Sequence, residues 1–100
     1  MIIPTVGRIV WYTGASGTEL EGVQPLAAIV CYVNSDTNVN LVVFDKYGRY
    51  YSLTQVVLVQ EGEEAPKGIG YAQWMPYQIG QARRQEQEQA FPRAQGPEQD

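Results

Sequence analysis

The stretch from Leu26 to Val59 constrains this chain more than any other. It holds three β-forming runs, Leu26 to Val33, Val39 to Phe44 and Tyr50 to Val59, separated only by short turns. Asn34-Ser35-Asp36-Thr37-Asn38 is made of residues that hydrogen-bond their own backbone. Asp45-Lys46-Tyr47-Gly48-Arg49 is a hairpin turn in which Gly48 supplies a positive φ. The spacing predicts an antiparallel meander. In the first run both alternating sets are apolar as far as Tyr32, which predicts a central strand. Val39, Leu41 and Val43 share one face of the next. The unbroken Val56-Val57-Leu58-Val59 predicts a strand end covered on both faces, or bent.

Upstream, Thr5 to Tyr12 reads as another strand, because Ile9, Val10, Trp11 and Tyr12 are β-formers. Gly7 marks a bulge or a close backbone approach. Alternation places Val6, Arg8, Val10 and Tyr12 on one face, with Ile9 and Trp11 on the other. Residues Thr13 to Gln24 form a glycine-containing loop. Gln60 to Lys67 is an acidic, solvated loop whose Glu61, Glu63 and Glu64 lack the regular spacing of a calcium loop.

From Gly68 to Gln78 large side chains crowd together: Tyr71, Trp74, Met75 and Tyr77 around Pro76. This cluster either closes the core or offers a stacking surface. A short helix is expected from near Pro76. Gln81 to Gln89 has good helix formers but no apolar stripe to hold a helix down, which predicts a mobile tail. The expected organisation is one β-rich domain over residues 1–79 and a Gln/Glu/Arg-rich tail over 80–100. The expected fold class is mainly β: a small antiparallel sheet or open barrel on a four-stranded meander, with a short C-terminal helix or mobile tail.

One hundred residues, 44% of them hydrophobic, make a single domain with a modest core. Seven Lys and Arg against eleven Asp and Glu give a net charge of -4. That argues against a groove for long nucleic acid, yet leaves room for a small nucleotide held by one or two cations. The single Cys31 excludes an intrachain disulfide and reads as a buried thiol. Without a signal peptide or an apolar run of membrane length, a soluble cytoplasmic protein is expected. The chain has no histidine. This removes the commonest general base and the imidazole metal sites, so neither an enzyme nor a cofactor or metal is expected. Binding is left. Two Trp and seven Tyr exceed what one small core needs, and Arg8, Lys46 and Arg49 lie near several of them in sequence. Aromatic faces stack bases and cations pair with phosphate. The same aromatics could equally line a subunit interface. Apolar residues on both faces of the strands predict a homodimer or tetramer.

Several blocks, taken together, look like a widespread set of small phage and prophage proteins. They are Pro4-Thr5-Val6-Gly7-Arg8-Ile9-Val10, Leu26-Ala27-Ala28-Ile29-Val30, Val39-Asn40-Leu41-Val42-Val43-Phe44-Asp45 and Trp74-Met75-Pro76. The likeness covers about residues 1–79 and leaves out the Gln-rich tail. Compact β-rich phage proteins of this size include sponges, which oligomerise and sequester the cyclic nucleotide signals of bacterial defence systems such as CBASS. The resemblance therefore implies a non-enzymatic, nucleotide-binding protein of immune evasion, acting in the host bacterial cytoplasm. On that reading the ligand-binding candidates are Arg8, Trp11, Tyr12, Trp74, Tyr77 and Gln78. Arg8 would pair with phosphate, Tyr12 or Trp74 would stack on a base, and Tyr77 and Gln78 would contact the ligand edge. The alternatives are a virion accessory protein, for example of capsid or tail, and a protein-protein interaction module.

Overall fold

A computed structural model describes residues 1–90, with side chains through residue 87. Its strands are β1 (Ile9–Thr13), β2 (Leu26–Ser35), β3 (Asn38–Phe44), β4 (Tyr50–Val59) and β5 (Tyr71–Gln73), and α1 (Pro76–Ala90) follows them. The expected β2-β3-β4 meander is present, in a mainly β domain with a C-terminal helix. The barrel is closed rather than open, because β5 joins β1 antiparallel and β4 in parallel. Tyr71-Ala72-Gln73 is too short to show an alternation, so the sequence reads as four strands where five exist.

β1 starts later than expected. Thr5 to Arg8 is a turn, in which Arg8 N–H donates to the Thr5 carbonyl at 3.3 Å and Gly7 takes φ 94°. The turn still leans on β2, since Gly7 N–H donates to the Val30 carbonyl at 2.8 Å.

Two irregularities explain why the apolar pattern drifts. On β2 the inward residues are Ala28 and Val30, then Val33; the register shifts between Val30 and Tyr32. On β4 Tyr51 and Leu53 pack against the core, but farther along the core residues are Val56 and Leu58, with Val59 buried beside them. Gln55, at φ 53°, takes up the extra residue, and its N–H donates to Asn40 Oδ1 at 2.9 Å. Asn34 Nδ2 donates to the same oxygen and to Asn38 Oδ1, each at 2.9 Å, so an asparagine cluster fastens both bulged strands. Bulges of this kind invert the inside-outside phase. That inversion, together with cover from neighbouring segments, produces the unbroken apolar run at the end of β4. Cys31 follows Val30 on the outward side of the alternation, and the shift beyond it turns Tyr32 outward and Val33 inward, so the expectation of a buried thiol is corrected.

The barrel ends are plugged from outside the sheet. Leu20 of the β1–β2 loop is buried in the core at one end. Ile2, Trp74 and Ile79 are packed with the core, and Pro4 is buried nearby in sequence to Ile2. Gln60 ties these parts together while only 4% exposed. Its amide donates to the carbonyls of Ile2 (2.9 Å) and Asp36 (3.0 Å). Its Oε1 accepts from Ile2 N–H (3.1 Å) and Trp74 Nε1–H (3.2 Å).

Helix α1 begins where proline is best tolerated, in the first turn. Gln78 Oε1 accepts from the Met75 N–H at 2.8 Å, the reciprocal half of a capping box. Side chains from Arg83 to Gln87 are exposed. Arg83 pairs with Glu61, and the N-terminal amine lies 3.8 Å from Glu86. Helix propensity and these surface pairs carry the helix beyond its packed first turns, farther than the missing apolar stripe predicts. A domain boundary at residue 79 falls inside it. Part of the expected mobile tail, residues 91–100, lies outside the described residues.

Two glycines give opposite expectations. A Cβ on Gly14 would overlap the Leu20 backbone carbonyl, whereas the space around Gly80 in α1 is open. Gly14→Ala should destabilise the fold by about 1–3 kcal/mol. Gly80→Ala should stabilise it by roughly 0.5–1 kcal/mol, because alanine costs less backbone entropy in a helix. Chemical denaturation of both variants checks the signs.

Candidate functional site

The six sequence candidates separate into three places. Tyr12 points into the barrel, where Gly70 leaves the room that its phenol occupies, and burial raises its pKa. Trp11 lies on the outer wall between Ala27 and Gln73. The structure brings only the other four near one another. Arg8 carries its guanidinium 5.2 Å above the Trp74 ring, and Gln78 Nε2 donates to the Ile9 carbonyl at 2.8 Å. Tyr77 is exposed and accepts from Gln81 Nε2 at 2.9 Å.

This placement corrects two assignments. Trp74 is 2% exposed, with its indole N–H held by Gln60 and a ring face under Arg8. Tyr12 is a core side chain. Neither offers an open ring to a base. The alternation that puts Tyr12 beside Val10 is the pattern of an inward face, and the turn at Gly7 takes Arg8 away from it.

The large concavity lies elsewhere. A cleft of about 630 Å³ opens between the β1–β2 loop and the β3–β4 hairpin. Its apolar lining comes from Leu20, Val23 and Pro25 of the loop and from Leu26, Ala27 and Phe44 of the strands. The hairpin supplies Asp45, Lys46, Tyr47 and Arg49. Tyr47 is 71% exposed, and the Lys46 ammonium and the Arg49 guanidinium each lie 5.2 Å from its ring centre. Cations at this distance are held by the ring quadrupole.

Asp45 builds this arrangement. Its Oδ1 accepts from the N–H groups of Tyr47 and Arg49, both at 2.9 Å, and its Oδ2 pairs with Arg49 Nε at 2.8 Å. Gly48 N–H closes the turn onto the Asp45 carbonyl at 2.9 Å. Desolvation pushes the Asp45 carboxyl up, but the Arg49 and Tyr47 N–H donors and the Arg49 charge outweigh it and hold it below the usual value. The hydrogen bond to Asp45 raises Arg49 in turn. Desolvation and then the Glu19 carboxylate of the β1–β2 loop raise Tyr51 of β4, whose hydroxyl also reaches Asp45 Oδ2 at 3.4 Å. Glu21 accepts from the Gly17 N–H at 2.9 Å.

A lowered carboxyl stabilises the fold above the ordinary aspartate pKa of about 3.9, and that contribution is lost as pH falls through the folded value. Asp45→Asn should therefore melt below wild type at neutral pH, and the gap should close below about pH 4. Thermal melts across this acid range measure the gap.

The sequence names Lys46 and Arg49 as cations near aromatics and reads the hairpin as a turn. It does not place the β1–β2 loop opposite, since that juxtaposition needs the β1-β2 and β3-β4 pairings together. Among the described residues no three His, Cys, Asp or Glu side chains gather as a metal site, and no helix is long and apolar enough to cross a membrane. Comparison with protein families, with curated proteins and with solved structures found no match.

Proposed function

We propose that this chain is a non-enzymatic binding protein that sequesters a small cyclic nucleotide in the cleft between the β1–β2 loop and the β3–β4 hairpin. One observation carries the reading: an apolar cleft of about 630 Å³ with the exposed Tyr47 ring at its rim, beside Lys46 and Arg49. The volume suits a compact organic ligand. An aromatic face with adjacent cations suits a flat base joined to phosphate. Lys46 supplies charge to a phosphate, while Arg49 is already engaged by Asp45. Glu19 and Glu21 supply acceptors for the exocyclic amines of a base.

The absence of histidine favours holding the ligand over hydrolysing it. The resemblance to small phage proteins supports a sponge acting in the cytoplasm of a bacterial host, as a homo-oligomer. Calorimetric titration of the full chain with a panel of cyclic di- and trinucleotides tests the proposal. At least one should bind below about 10 µM, roughly -7 kcal/mol, and be recovered intact. If none does, the nucleotide reading fails, and an interaction module or virion component takes its place.

A further inference from the structure

The β3–β4 turn is closed by main-chain groups before any side chain is counted. The Asp45 N–H donates to the Arg49 carbonyl at 2.8 Å, and the Gly48 N–H to the Asp45 carbonyl at 2.9 Å. Asp45 Oδ1 adds the N–H groups of Tyr47 and Arg49. Its Oδ2 takes Arg49 Nε at 2.8 Å and the Tyr51 hydroxyl at 3.4 Å. A carboxylate has about four lone-pair sites, so Asp45 has none left for a ligand, and its side chain is only 7% exposed. The Arg49 side chain, by contrast, is 68% exposed. An arginine so solvated is ordinarily free to change rotamer. This one is fixed at Nε by a buried carboxylate and lies against the Tyr47 ring, 5.2 Å from its centre. Only Nε is engaged: among the described residues its Nη1 and Nη2 have no hydrogen-bond partner.

We propose that Arg49 grips the ligand's phosphate through Nη1 and Nη2, and that Asp45 is the positioning residue that presents it. The inference rests on the nucleotide reading of the cleft, which Arg49 lines, and deepens it. A cyclic phosphodiester spreads one negative charge over two non-bridging oxygens. The outer edge of a guanidinium offers two parallel N–H groups that fit such a pair. Lys46, at the same ring, is a point charge on a flexible stem: it attracts the phosphate without orienting it. A carboxylate beside an anion site can act in two ways, and they differ in sign. Acting only as a charge, Asp45 repels phosphate, and neutralising it tightens binding. Acting through Arg49, its loss frees the guanidinium, and ordering that side chain again on binding costs affinity.

Calorimetric titration of the full chain with the panel of cyclic di- and trinucleotides reads both roles. Arg49→Lys keeps the charge and loses the fork, so affinity should fall roughly fivefold. Asp45→Asn keeps an oxygen for the Tyr47 and Arg49 N–H groups, and with it the turn, but no longer holds Nε. Affinity should fall roughly threefold although a negative charge has been removed. In an Arg49→Ala background the same Asp45→Asn change should cost nothing further. A turn that had merely loosened would cost affinity in both backgrounds. Arg49→Lys decides the grip even where Asp45→Asn melts below the titration temperature. Three results would each overturn the inference and leave the nucleotide reading in place: Arg49→Lys binding like wild type, Asp45→Asn binding as well or more tightly, or additive losses in the double variant. A wild-type chain that binds no member of the panel would overturn both.

Discussion

Gln60→Ala should unfold this protein at a markedly lower temperature than any surface variant. The substitution removes one amide and leaves four groups without their partner: the Ile2 N–H and carbonyl, the Asp36 carbonyl and the Trp74 indole N–H. A buried polar group left unpaired costs about 1–3 kcal/mol, and some of these would find water, so a total loss of roughly 3–5 kcal/mol is expected. For a domain of this size that lowers the melting temperature by on the order of 12–30 °C. Gln60→Leu separates hydrogen bonding from volume: it fills the space and should be nearly as damaging. A Gln60→Leu protein that melts with wild type would show that the four partners do not depend on Gln60. The effect is large because the amide joins the N-terminal segment, the β2–β3 turn and Trp74, which lie far apart in sequence.

That long reach is also why the sequence does not reveal Gln60. Its position reads as the first residue of an acidic loop, and nothing local marks it as buried. The meander was legible because its signals are local: alternating apolar residues on β3, and a Gly48 turn between β3 and β4. Closure of the barrel was not, because β5 offers only Tyr71-Ala72-Gln73 and its parallel pairing with β4 depends on the Gln60–Gly70 loop. The phase inversions at Cys31 and Gln55 depend on the register of neighbouring strands, which periodicity along one strand does not report. Trp74 shows what composition can and cannot decide. An aromatic cluster after the last long strand permits both core closure and a stacking surface, and only the burial of its ring under Arg8 chooses core. Tyr47 is the converse case: a residue read as part of a turn stands exposed at the rim of the cleft.

Tyr47→Ala should be the most damaging single change to ligand binding. It removes the one exposed ring at the cleft rim and the surface over which Lys46 and Arg49 lie. Base-aromatic stacking contributes about 1–3 kcal/mol, so affinity should fall roughly 5- to 150-fold. Stability should hardly change, because the side chain is largely solvated and the hairpin turn is kept by Asp45. Lys46→Ala should weaken binding as well, and increasingly so at low salt, as expected for a phosphate contact.

The most direct measurement compares the two places where a ligand could be held. Wild type, Tyr47→Ala and Arg8→Ala are titrated in the calorimeter with whichever cyclic nucleotide wild type binds, and their melting temperatures are recorded beside the affinities. The account predicts that Tyr47→Ala loses affinity by at least about fivefold while keeping its melting temperature, and that Arg8→Ala binds like wild type. Abolished binding in Arg8→Ala together with unchanged binding in Tyr47→Ala would contradict it and return the site to the surface beside Trp74.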